Sequence, residues 1–140
     1  MTDMAALTQA SRQARRARVE TLALVRDGVI PVEDIISGAM VARDPITDKI
    51  KLRQLLLAIP GLGETAVART LRVLARSLPS TPREPTIGWL CDPRVSGRRV
   101  VVFYNCLDDS RHGPWEGYPY APPPPELDET ARNWTPMEVA

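Results

Sequence analysis

The residues of this chain best suited to chemistry form a four-residue corner, Pro60-Gly61-Leu62-Gly63. A glycine has no Cβ and tolerates positive φ, so Gly61 and Gly63 allow a tight reversal and let a ligand approach the backbone closely. A helix starting at Glu64 would leave its first N–H groups without partners inside the helix. Those amides and the turn amides make a small, partly positive concavity, for which a phosphodiester oxygen is a natural ligand. Lys51, Arg53, Arg69, Arg72 and Arg76 flank the corner and could supply a positive field. Such a contact reads the phosphate rail and not base edges, so it positions more than it specifies. The alternative is a tight αα-corner whose glycines serve geometry alone.

A second basic group lies near the N-terminus. Arg12, Arg15, Arg16 and Arg18 fall within seven residues, and no acid follows until Glu20. The planar guanidinium fork suits phosphate. A solvated helix face is the plainer reading of such a run, but its signs are not mixed. Nothing points to catalysis: there is one His, no Ser-His-Asp set, no P-loop and no carboxylate pair in a defined cleft. Cys91, Cys106 and His112 have no recognisable metal-ligand spacing, so neither a metal nor another cofactor is expected.

Helical periodicity positions these groups. Leu52, Leu55, Leu56 and Ile59 recur at helical spacing before the corner, and Val67, Leu71, Leu74 and Leu78 after it. Pro60 stops the first run, and Leu62 is expected to tuck between the two helices, giving a helix-hairpin-helix. Upstream, a helix from about Met4 or Thr8 to Asp27 is closed by Gly28, with Leu7, Ala10, Ala14, Ala17, Leu22 and Val25 as a weak apolar face. A second helix runs from Pro31 to about Val41, with Glu33 and Asp34 complementing its dipole and Ile35, Ile36, Ala39 and Met40 facing the core. A loop over residues 42–49 then leads into the hairpin.

At 140 residues the chain suits one domain with a tail, and its net charge of +1 conceals an asymmetry. Residues 1–83 carry thirteen Lys+Arg against eight Asp+Glu, whereas residues 84–140 carry five against nine. A basic front and acidic rear suggest a polyanion-binding domain followed by a segment that does not bind it. Eleven of the fourteen prolines lie at or after Pro79. No apolar run approaches the roughly 20 residues that span a bilayer, and the N-terminus lacks signal-peptide character, so a cytoplasmic protein with reduced thiols is expected.

In order, the line Ala14-Arg15-Arg16-Ala17-Arg18, the short helix around Val32–Ala39, the lead-in Lys49-Ile50-Lys51-Leu52, Leu55-Leu56 and Pro60-Gly61-Leu62-Gly63 resemble the actinobacterial (mycobacterial-type) integration host factor. The resemblance covers roughly residues 12–90. The hairpin alone is shared with many DNA-repair proteins and a ribosomal protein; the ordered combination is more specific. The resemblance implies a small helical protein with a helix-two-turns-helix core. It also implies a nucleoid-associated role: binding duplex DNA, bending or compacting it, and assisting a recombinase or integrase in site-specific recombination. It places DNA contact at Arg12, Arg15, Arg16 and Arg18, at Gly61, Leu62, Gly63 and Thr65, and at a lid carrying Arg83 and Gly88; Lys49, Lys51, Arg53 and Arg69 join the expected contacts as neighbouring positive charge. In the family the lid is an Arg-rich run ending in Arg-Gly-Leu-Gly. Here residues 83–90 hold one Arg, an added Glu84, and Ile87 before Gly88, which implies weaker and more salt-sensitive binding unless Arg94, Arg98 and Arg99 take over.

Arg99-Val100-Val101-Val102-Phe103-Tyr104 is β-branched and aromatic, and Asp92-Pro93-Arg94-Val95-Ser96-Gly97 is turn chemistry. Together with Thr86–Cys91 they predict a short β-hairpin, in preference to the C-terminal helix that the resemblance implies, with Arg94, Arg98 and Arg99 at its tip and Trp89, Phe103 and Tyr104 packing on the bundle. From Asp108 the chain becomes proline-rich and acidic, a tail expected to be disordered. The expected architecture is thus a mainly α, small helical bundle: a DNA-binding domain over residues 1–107, a β-hairpin at its end, and a tail over 108–140. A non-enzymatic, monomeric, architectural DNA-binding protein is the leading reading. The alternatives are an RNA- or ribosome-associated helix-hairpin-helix protein and an adaptor that uses the proline-rich tail.

Overall fold

A computed structural model describes residues 4–112. The chain runs through α1 (Met4–Arg26), α2 (Val32–Val41), α3 (Pro45–Asp48), α4 (Leu52–Ala58), α5 (Glu64–Ser77), α6 (Ile87–Leu90), a 3₁₀ turn (Pro93–Val95) and α7 (Arg98–His112). The architecture is the expected small helical bundle, and α7 continues past the expected domain end at residue 107. The proline-rich segment lies outside the described residues.

The hairpin forms for the reasons its spacing gives. Leu52, Leu55, Leu56 and Ala58 of α4 are buried, as are Val67, Thr70 and Leu74 of α5. Leu62 is buried between the two exposed glycines of the corner, as its position predicts. Gly61 has φ +86, and Leu62 N–H donates to Ile59 O at 3.2 Å to close the turn. α1 ends at Arg26, with Gly28 at φ +73 just beyond it. Only Val25 of α1 is buried; Leu7 and Ala10 of the expected apolar face are exposed. In α2 the inward residues are Val32, Ile36 and Ala39; Ile35 is half-buried, and Met40, expected in the core, is exposed.

The expected β-hairpin is absent: among the described residues there is no strand, only one bridge between Lys51 and Thr86. Val100, Phe103, Cys106 and Leu107 recur at helical spacing, and all four are buried in α7, which packs chiefly against α5. Burial of that stripe outweighs the β preference of three consecutive valines, whose helical cost is a few tenths of a kcal/mol each. Thr70 and Ser110 meet by their hydroxyls across the α5–α7 seam; one donates to the other, whose own proton goes to the carbonyl four residues back in its helix. The turn chemistry at 92–97 is real, but it leads into a helix. The Asp92 side chain caps the 3₁₀ turn, and Ser96 and Gly97 take positive φ before α7 begins. Phe103 is fully buried, while Trp89 and Tyr104 pack at the core's edge.

The segment before α6 is tied to the hairpin by its backbone: Leu52 N–H donates to Pro85 O and Ile87 N–H to Ile50 O, both at 2.9 Å. Arg43 completes the tie. Its guanidinium bonds Cys91 O at 2.8 Å and Gly88 O at 3.2 Å, and pairs with Asp48 at 3.2 Å. Gly88 therefore has a packing duty, since a Cβ there would lie 3.0 Å from Asp48 Cβ and 3.1 Å from Asp48 O. Gly88→Ala is expected to destabilise the fold by about 1–3 kcal/mol, because backbone must shift to admit the methyl group. Urea unfolding measures this.

Candidate nucleic-acid interface

The corner is open. Gly61 and Gly63 are exposed, and a Cβ built on either would meet nothing within 4 Å. Gly63 sits at the N-cap of α5 in extended conformation (φ −90, ψ 173), with no side chain capping the helix. Among the described residues, no group accepts from the amides of Gly63, Glu64 or Thr65, whereas Val67 N–H already donates to Gly63 O at 3.0 Å. These amides point out of a 14-residue helix whose dipole adds to their partial charge. Glu64, exposed in the first turn, works against an incoming phosphate.

The arginines of α1 divide. Arg12, Arg15 and Arg16 are exposed and make no ion pair among the described residues. Arg18 is half-buried on the inward side with Ala14, Ala17 and Val25, and its Nη1 is buried without a hydrogen-bond partner. The exposed three are not next to the corner. Val25 and Pro60 line one groove, so the C-terminal end of α1 lies by the corner. Nine to thirteen residues of helix separate Val25 from Arg16 and Arg12, about 14 to 20 Å along the axis.

The remaining expected contacts scatter. Lys49 and Thr65 are exposed, and Arg69 is half-buried. Lys51, Arg53 and Arg83 gather around a cavity of about 240 Å³ that also borders Leu71 and Ala75 in the second half of α5. That cavity is at the opposite end of the hairpin from the glycine corner. Lys51 pairs there with Glu84 at 3.0 Å. The basic residues expected to replace the lid are largely engaged elsewhere. Arg94 grips the Asp92 carboxylate at 2.7 Å and holds it well below the usual carboxylate range. Arg99 bonds Trp89 O at 2.7 Å and stacks 4.4 Å from the centre of the Trp89 ring, leaving Arg98 exposed.

Sequence reasoning missed two polar ties. Arg43 clips α3 to the end of α6, and Arg111 reaches Glu33 at 2.5 Å to join α7 to α2. Neither partner is near in sequence, so no local pattern could have signalled them. Both cysteines are free and buried, and burial pushes the Cys91 thiol up to about 11. Among the described residues no helix is long and apolar enough to cross a membrane.

No protein-family model matches this chain, and neither a curated protein nor a solved structure matches it.

Proposed function

We propose that this protein is a non-enzymatic, architectural duplex-DNA-binding protein that holds the sugar-phosphate backbone. The observation that carries this reading is the open corner at Gly61–Thr65, with the amides of Gly63, Glu64 and Thr65 unpaired among the described residues and open space at both glycines. The exposed, unpaired Arg12, Arg15 and Arg16 support it. Their separation from the corner would make the protein touch well-spaced phosphates, and a rigid body doing so favours DNA that bends to meet it. The resemblance to integration host factors extends the reading to nucleoid compaction and to assisting a recombinase.

The test is an anisotropy titration of the full chain with random-sequence duplex DNA at several salt concentrations, with duplex RNA and single strands alongside. Log affinity for the DNA duplex should fall linearly with log salt, by about 0.9 per phosphate neutralised. Indifference to salt, or equal indifference to all three nucleic acids, would contradict the reading.

The corner itself can be probed with one clean substitution. Gly63→Val is expected to weaken duplex binding about tenfold while leaving the melting temperature nearly unchanged, since Gly63 has an ordinary backbone conformation and open space around it. Gly61→Val is less clean, because φ +86 costs an L-residue about 1–2 kcal/mol in the folded state. Full affinity in a folded Gly63→Val protein would remove the corner from the contact.

A further inference from the structure

The cavity at the far end of the hairpin is separate from the corner and from the α1 arginines. Its polar wall holds Lys51, Arg53 and Arg83 against one carboxylate, Glu84; its apolar wall holds Leu71 and Ala75. Glu84 takes an ion pair from Lys51 and also lies in the field of Arg83 and Arg53. The one carboxylate of this wall is thus paired with Lys51 and shares the cavity lining with both arginines. Arg53 and Arg83 make no ion pair among the described residues, so two guanidinium groups remain uncompensated at the rim.

We propose that this cavity is a seat for a small phosphomonoester, its phosphate between Arg53 and Arg83 and its organic part on Leu71 and Ala75. The charge balance selects the monoester. Three cations less Glu84 leave an excess of two, which a monoester at about −1.5 to −2 cancels and a diester at about −1 does not. Paired forks suit a phosphate with three free oxygens. The volume of about 240 Å³ lies just below the range for drug-sized ligands, which fits a small organic phosphate. This site does not depend on the duplex-DNA reading, and either can fail alone.

Calorimetric titration of the full chain with thymidine 5′-monophosphate, inorganic phosphate and thymidine tests it. Saturable binding of the monophosphate is expected, several-fold tighter than inorganic phosphate, with none for thymidine. Arg53→Gln and Arg83→Gln should each weaken it about tenfold, the loss of one charge-assisted hydrogen-bonding partner. Glu84→Gln should tighten it several-fold by removing the competing carboxylate. All three side chains are exposed, so folding is not at stake. Overturning results are no saturable binding of the monophosphate, unchanged affinity in both arginine variants, or weaker binding in Glu84→Gln. So is displacement of bound monophosphate by a duplex without terminal phosphates, which would assign the cavity to backbone diesters.

Discussion

Replacing Arg12, Arg15 and Arg16 together by Glu is expected to lower duplex affinity on the order of 100-fold near 0.1 M salt. The same variant should flatten the dependence of log affinity on log salt by about 3, because three phosphate contacts no longer release counterions. Binding to all sequences should weaken alike, since phosphate contacts carry no sequence information. The three residues are exposed and free of ion pairs among the described residues, so circular dichroism should show the helical content retained. Arg18 is left out on purpose: its half-buried guanidinium would unsettle the bundle if reversed, and a lost fold would mimic a lost contact. An unchanged salt slope in the folded triple variant would place this part of α1 away from the DNA.

The second large effect concerns the fold. Phe103→Ala is expected to cost about 3–5 kcal/mol, the usual range for emptying a fully buried aromatic site. Against a typical total of about 5–15 kcal/mol, that leaves a marginal or unfolded protein, measurable as a shift of the urea midpoint. Its companion separates helix from strand at residues 98–112. Val101 is 61% exposed on α7, so Val101→Ala should be neutral or stabilise by a few tenths of a kcal/mol, because alanine is the better helix former. In a β-hairpin the same change would remove a favourable strand residue and destabilise. Loss of stability on Val101→Ala would therefore speak against the helix.

The hairpin was legible because two independent signals agree there. Leucines at helical spacing flank a breaker, and the residue between the glycines has only the core to go to. In α7 the local composition conflicts with the tertiary duty, so the sequence points to a strand where a helix forms. Three consecutive valines favour a strand in isolation, but Val100, Phe103 and Leu107 share a helical face that α5 buries. Gly88 shows the same limit at one residue. As a lid glycine it suggests a backbone left bare for DNA, whereas it is bare for Asp48. The arginines were equally deceptive, since charge alone does not say which are already engaged. Arg94 and Arg99 are held by Asp92 and Trp89, while Arg53 and Arg83 face a cavity. The openness of the corner depends on what the rest of the chain leaves uncovered, which no local pattern encodes.

Amide proton and nitrogen shifts of Gly61, Gly63, Glu64 and Thr65, followed while a short duplex is added to the full chain, test the central claim most directly. Large, saturable shifts at these four amides, lost in parallel with binding as salt is raised, are what a main-chain phosphate grip predicts. Four unmoved resonances in a protein whose other amides report bound duplex would contradict it.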